Sequence, residues 1–145
     1  MIALIQRVSE AKVVVDDQTI GEISQGILAL IGIEKQDDVE QIKKITHKIV
    51  NYRIFPDAND KMNLSVKDIQ GGILLVPQFT LAADTQKGLR PSFSSSASPD
   101  MASKLFQQLV EYSQTQYSII ETGQFGADMK VSLLNDGPVT FSLKA

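Results

Sequence analysis

Two strand-like runs break at a proline, and both carry groups able to do chemistry: "PQFTLAAD", from Pro77 to Asp84, and "NDGPVT", from Asn135 to Thr140. The first places a hydroxyl, Thr80, beside an amide, Gln78, and a ring, Phe79. A threonine oxygen can attack an ester carbonyl, but it is a weak nucleophile unless a neighbouring base takes its proton. No histidine or lysine lies within that run. The second holds Gly137-Pro138, whose only usable groups are backbone carbonyls. Asp136-Gly137 reads as a hairpin turn between two alternating runs, yet Pro138 has no N–H for the strand that should resume there. Taken singly, each motif is a bulge or a turn.

Composition narrows the chemistry. Cysteine is absent and His47 is the only histidine, which removes thiolate nucleophiles, thiolate zinc sites and imidazole clusters. No metal or cofactor is expected. His47 falls in the helical pattern "DDVEQIKKITHKIVNYRI" and reads as a structural or solvated residue. A net charge of -3 argues against broad nucleic-acid binding, which leaves a basic footprint, while leaving room for a local basic patch. DNA is therefore not an expected partner. No apolar run reaches the length of a membrane span, and "MIALIQRVSEAK" alternates like a strand, not a leader, so the expected location is cytoplasmic with no membrane partner.

The elements that must position these groups are legible as periodicity. The length suits one domain, residues 1–145, large enough to bury roughly two-thirds of its unfolded surface without a disulfide. "MIALIQRV", "AKVVV" and "TIGEI" alternate as strands, with a turn at Asp16-Asp17-Gln18, and the unbroken apolar run "GILALIGI" reads as a strand buried on both faces. Asp37 or Asp38 caps the next helix, Glu40 completes a capping box with Asp37, and Val39, Ile42, Ile45 and Ile49 form its inward stripe. After the turn-rich "FPDANDKMN", the run "ILLVPQFTL" must end, bulge or lie at an edge at Pro77. A long exposed loop follows, and Ser98-Pro99 opens a second helix to about Tyr117, with Met101, Leu105, Leu109 and Tyr112 on one side. Met129, Val131 and Leu133, then Val139, Phe141 and Leu143, read as strand, interrupted turn and strand. The expected fold is α+β: a single domain with a strongly curved mixed or antiparallel β-sheet, or barrel, and two main helices.

The blocks "MIALIQRVSEAKV", "NYRIFPDANDKMNLSV", "QFTLAADTQKGLRPSF", "ASPD" and "VSLLNDGPVTF", in this order, resemble the D-aminoacyl-tRNA deacylases over essentially the whole chain. The resemblance implies hydrolysis of the ester between a D-amino acid, or glycine, and the 3′-terminal adenosine of tRNA. It also implies a homodimer with its active site at the subunit interface, where a Gly-cis-Pro dipeptide enters the partner's pocket. On this chain the dipeptide is Gly137-Pro138. The receiving pocket and its catalytic groups involve Gln78, Phe79 and Thr80, with Phe125 and Met129 as the adenosine-side wall, and Arg7 resembles the arginine that fixes the Gly-Pro carbonyls. L-residues would be excluded by the rigid backbone, and Gly137 would be glycine because a Cβ would collide with the bound aminoacyl group. Lys87 and Arg90, with Phe93, read equally as tRNA contacts or as a solvated loop.

One position departs from the pattern. The family commonly has serine before "QFTL", whereas this chain has Pro77, which offers neither a hydroxyl nor an N–H. Two chemistries stay open on the residues: Thr80 as nucleophile, or the terminal 2′-hydroxyl assisting water while backbone N–H groups near Phe79 and Thr80 hold the carbonyl, the latter favoured. A noncatalytic binding barrel and a threonine hydrolase of free amino acid esters are the competing readings.

Overall fold

One long strand organises the sheet. In the computed structural model, which describes residues 1–145, β1 runs unbroken over Ile2–Val15, where the sequence reads as two separate strands. One of its edges is shared in sequence: β3 (Gly26–Gly32) pairs antiparallel with Ile2 to Val8, and β2 (Gln18–Ile23) pairs antiparallel with Ala11 to Val15. Its other edge is covered along nearly its whole length by β8 (Lys130–Lys144), also antiparallel. The turn between β1 and β2 uses Asp16 and Asp17, both at positive φ, a conformation that short polar side chains tolerate.

Parallel pairing extends the sheet beyond β3. β6 (Gly72–Pro77) lies beside β3, and β7 (Ile120–Thr122) beside β6, so the sheet is mixed. Two further short strands, β4 (Phe55–Pro56) and β5 (Met62–Leu64), form a separate ribbon. Pro77 sits at the last paired position of β6, opposite Ile31, while β7 reaches only as far as Leu75. The missing donor therefore falls where the strand ends, and Gln78 N–H takes over by donating to the Ile31 carbonyl at 2.7 Å.

The alternating side chains of these strands feed two cores. Ala3, Ile5, Ile27, Ala29, Ile31, Ile73 and Leu75 pack against the helices, and Val8, Ala11, Val13, Ile23, Leu28, Leu74 and Val76 fill the opposite face. Ile23 of β2 and Leu74 of β6 share that second core, so the sheet curls back towards itself into a nearly closed barrel-like form. Along β1 the parity of inward residues changes between Val8 and Ala11. Val8 pairs with Asn135 and Glu10 with Leu134, leaving Ser9 as an extra residue on β1, and such a bulge hands the following side chains to the other face.

Helices α1 (Val39–Asn51) and α2 (Pro99–Gln116) cover the larger core. Ile42, Ile45 and Ile49 are buried as the stripe requires, but Val39, in the first turn, is 48% exposed. The capping box is made by Asp38 and Gln41, not by Asp37 and Glu40. Asp37 is occupied elsewhere: its buried carboxylate accepts from the Met1 ammonium and from the Glu34 N–H. Ser98 caps α2 with Pro99 in its first turn. The helices meet across a buried pair of hydroxyls, Thr46 and Ser113, 3.2 Å apart.

β3 and β6 pair through two glycines that face each other, Gly26 and Gly72. A Cβ on Gly26 would stand 1.9 Å from the Gly72 carbonyl oxygen, and a parallel pair fixed on both sides cannot open to admit it. Gly26→Ala is therefore expected to lower the unfolding free energy by about 3 kcal/mol or more. Urea denaturation would measure this, and an unchanged midpoint would contradict the close approach.

Candidate active site

Pro77 ends β6 and releases the chain into a short 3-10 turn, Phe79–Ala82, preceded by Gln78. Beside this turn lies a crevice of about 430 Å³ bounded by the end of β6, the first turns of α2, the loop through Phe125 and Gly126, and Met129 and Val131. Its walls are mostly apolar. Gln78, Phe79, Phe125 and Met129, four of the residues singled out from the sequence, all line it. No aspartate, glutamate, histidine, lysine or arginine does.

The geometry at its lip assigns Thr80 a partner. Gln78 Nε2 donates to Thr80 Oγ1 at 2.6 Å. The amide orientation is set by that network, and in either orientation an amide cannot accept a proton as a base would. Thr80 itself lies outside the lining. Phe79 is 59% exposed and tilts against Phe93 with ring centroids 5.3 Å apart, so the lip carries an open aromatic pair. Phe125 is held from behind by Phe106 at 6.4 Å. The N–H groups of Phe79 and Thr80 open the 3-10 turn, where no carbonyl within the turn precedes them.

The second motif is not a turn between two strands, as the sequence suggests. β8 continues through it as one strand of fifteen residues. Gln6 pairs with Thr140 and Val8 with Asn135, so two steps along β1 (8 − 6) face five along β8 (140 − 135), and three extra residues bulge outward. The Gly137–Pro138 peptide bond in this bulge is cis. Asn135 closes the bulge from within: its Oδ1 accepts from Val139 N–H at 2.7 Å and its Nδ2 donates to Thr140 Oγ1 at 2.9 Å. That role escapes a residue-by-residue reading, although asparagine ahead of a turn is a known signal for side-chain bonding to nearby backbone.

Arg7 occupies the gap opposite the bulge. Its Nε donates to the Asp136 carbonyl at 2.8 Å and one terminal nitrogen donates to the Ile54 carbonyl at 2.7 Å. The contact thus falls on the residue before Gly137, not on the Gly137 and Pro138 carbonyls themselves. Gly137 has φ 145°, and a Cβ there would meet Val139 Cγ2 at 2.6 Å and Val139 N at 3.0 Å. Its glycine identity is accordingly required by the chain itself, before any ligand is considered.

Within one chain these two halves are separate: Arg7, Gly137 and Pro138 do not line the crevice. Lys87 and Arg90 stand exposed on the loop between the 3-10 turn and α2, without an ion-pair partner and outside the crevice lining.

A nearly closed mixed sheet backed by two helices, with a mostly apolar crevice at a strand end and no acid or base in its walls, defines an α+β domain. A family model described as D-Tyr-tRNA(Tyr) deacylase matches residues 4–144, and the chain belongs to that family. A protein of Teredinibacter turnerae named D-aminoacyl-tRNA deacylase is 60% identical over 145 residues, the full length of both chains. Another of that name, from Pseudoalteromonas translucida, is 59% identical over 143 residues and 99% of each chain. Among solved structures, one described as a c-Myc DNA unwinding element binding protein superposes with a TM-score of 0.96 at 37% identity, covering 100% of this chain and 99% of the other. A second, described as a probable eukaryotic D-amino acid tRNA deacylase, has a TM-score of 0.84 at 14% identity over 98% of each chain, which shows a shared fold.

The bulge depends on the Asn135 side chain in a way that a variant can isolate. Asn135→Ala is expected to cost about 1–3 kcal/mol by leaving the part-buried Val139 N–H unpaired. Asn135→Asp, which keeps the acceptor, should recover most of it. Equal stabilities for the three proteins in chemical denaturation would remove Asn135 as the closure.

Proposed function

We propose that the chain is a deacylase that hydrolyses the ester between a D-amino acid and the 3′-terminal adenosine of tRNA, working as a homodimer in the cytoplasm. The observation that carries this reading, beyond family membership, is a crevice that has aromatic and apolar walls, an amide at its lip and no titratable side chain. In the proposal, Phe125 and Met129 form the wall for the adenosine, and Gln78 and Phe79 flank the ester. Lys87 and Arg90 hold phosphates of the acceptor strand.

The chemistry follows from what the walls lack. Water attacks the ester carbonyl carbon, and the developing oxyanion is held by the N–H groups of Phe79 and Thr80, donors aimed at where charge appears. The adjacent 2′-hydroxyl orients the water and relays its proton. The bond from carbonyl carbon to O3′ then breaks, and O3′ leaves as a hydroxyl with that proton, giving a free D-amino acid and tRNA. Thr80 is not the nucleophile in this scheme, because its hydrogen-bond partner Gln78 cannot deprotonate it. Pro77 contributes a strand end and nothing chemical, so the serine usual at this position in the family is dispensable.

Chirality is assigned to the bulge. Gly137 and Pro138 of one protomer enter the other's crevice and place rigid carbonyls on the side where an L-residue projects its side chain. D-residues and glycine fit. Exclusion by atoms that cannot move discriminates more strongly than the roughly 1–3 kcal/mol available from one methylene in a pocket. The separation of the two halves within one chain, together with the exposed apolar side chains Leu133, Leu134 and Phe141 on β8, supports completion by a second copy.

Turnover of D-tyrosyl-tRNA or D-aspartyl-tRNA beside the L-forms at matched enzyme concentration tests the selectivity. The expected result is hydrolysis of the D-forms, measurable hydrolysis of glycyl-tRNA, and essentially none of the L-forms; comparable D and L rates would refute it. For the mechanism, Thr80→Ala should retain activity within about tenfold, while a 2′-deoxy terminal adenosine should slow the reaction by about 10²–10⁴-fold. Abolished turnover in Thr80→Ala with an unaffected deoxy substrate would move the chemistry onto the threonine.

A further inference from the structure

The block "NYRIFPDANDKMNLSV" has no part in the crevice, yet the fold gathers its polar residues around a second cavity of about 500 Å³. That cavity opens between the end of α1 and the β4–β5 ribbon, and no hydrophobic residue lines it. Arg53 and Lys67 bring two cations, Asp68 brings one carboxylate, and His47, Asn51, Asn63 and Ser65 bring further polar groups. Neither cation has a carboxylate within ion-pair distance.

The Asp68 carboxylate within the lining and that of nearby Asp57 are both engaged by neighbouring donors. Asp57 accepts from the Asn59 and Lys61 N–H groups at 2.8 and 3.0 Å. Asp68 Oδ2 accepts from the N–H and hydroxyl of Ser65 at 2.7 and 2.8 Å. Those Ser65 bonds, backbone first, hold the Asp68 carboxyl below its ordinary value, with Arg53 and Lys67 adding their charge. Arg53 donates to Asn63 Oδ1 at 3.0 Å, which steadies the guanidinium while leaving most of its five donors open. Asn51 Nδ2 lies 3.4 Å from His47 Nδ1, and when Asn51 donates there the outer ring nitrogen carries a proton of its own. The cavity is therefore rich in donors on a chain whose net charge is -3.

Its position ties it to the bulge. Ile54, next to Arg53, gives its carbonyl to Arg7, and the same guanidinium holds Asp136. Arg7 thus links the residue beside Arg53 to the near side of the Gly137–Pro138 bulge of its own protomer. If that bulge enters the partner's crevice, as the proposed function has it, an acceptor strand reaching the crevice passes this cavity.

We propose that Arg53 and Lys67 form a phosphodiester-binding site that grips the tRNA acceptor strand of the substrate bound in the partner's crevice. A phosphate presents only acceptors, and a planar guanidinium with a mobile ammonium is the pairing that engages it in two directions. Contacts of this kind fix the register of an RNA end without reading its bases. The inference rests on the proposed function for its geometry, and its test does not require turnover.

The experiment is fluorescence anisotropy of labelled, uncharged tRNA with the intact protein, at several salt concentrations. It compares wild type with Arg53→Gln, Lys67→Ala and, as a control, Lys104→Ala on the exposed face of α2. Arg53→Gln and Lys67→Ala should each weaken binding about fivefold or more and reduce the slope of log affinity against log salt by about 0.7–0.9, the value for one lost phosphate contact. Lys104→Ala should match wild type. The Lys67 side chain makes no hydrogen bond, and its backbone carbonyl, which accepts from Gln70 N–H, is kept in alanine, so Lys67→Ala keeps the test available should Arg53→Gln unfold. Unchanged affinity and slope in Lys67→Ala would overturn the site. Displacement of tRNA by millimolar inorganic phosphate at constant ionic strength would also overturn it, by showing a general small-anion site. Failure of the deacylase reading is distinguishable, because it would abolish ester turnover while leaving the tRNA titrations intact.

Discussion

Everything proposed for this chain depends on a mismatch in one strand pair. β1 and β8 run beside each other for most of their length, and between Gln6 and Val8 the partner strand carries three residues too many. A plain sheet expels such an excess as a disordered loop or shifts register to absorb it. Here the excess is held by side chains on both strands: Asn135 bonds the backbone and hydroxyl on the far side of the bulge, and Arg7 bonds the carbonyl at its near side. Arg7 and Asp136 are 129 residues apart in the chain, so the bulge acquires its shape only when the first and last strands have met.

On the proposed function, that arrangement separates selection from chemistry. The crevice beside the 3-10 turn has mostly apolar walls and none of the titratable groups of an acid–base catalyst, and in the proposed reaction the proton transfers fall on water and the substrate. The bulge has carbonyls and no side chain at Gly137, which suits exclusion. Within one chain the two halves are separate, and the proposed dimer brings them together without a further catalytic residue. The same logic gives Pro77 its meaning: it stops β6 at the position where the chain must turn to present Gln78 and Phe79.

Much of this was legible in the sequence where local pattern and tertiary structure agree. The double-sided burial of "GILALIGI", the helix stripes at Ile42, Ile45 and Ile49, and the strand end at Pro77 follow from periodicity and missing donors. Reading stopped short where distant pairing overrides a local signal. Asp136-Gly137-Pro138 looks like a turn because a turn is the best local solution, but eleven residue pairs between β1 and β8 keep the strand continuous on both sides. Asp37 looked as good a cap as Asp38 until the Met1 ammonium, remote in sequence, claimed its carboxylate. Gln78, Phe79, Phe125 and Met129 were found through family resemblance and do gather at one crevice. Asn135 as the bulge's closure, and the cation pair Arg53 and Lys67, became visible only with coordinates.

The central claim is that one protomer's bulge completes the other's crevice, and mixed dimers test it most directly. One protein would carry Gly137→Ala, which distorts the bulge, and the other Ala127→Trp, at a residue beside Gly126 that lines the crevice, which fills it; each alone should be inactive on D-tyrosyl-tRNA. After unfolding and refolding together, half of the dimers combine an intact bulge with an intact crevice at one of their two sites. The account predicts recovery to about a quarter of wild-type activity in the equimolar mixture. A mixture as inactive as its components, with mixed dimers shown to be present, would contradict it.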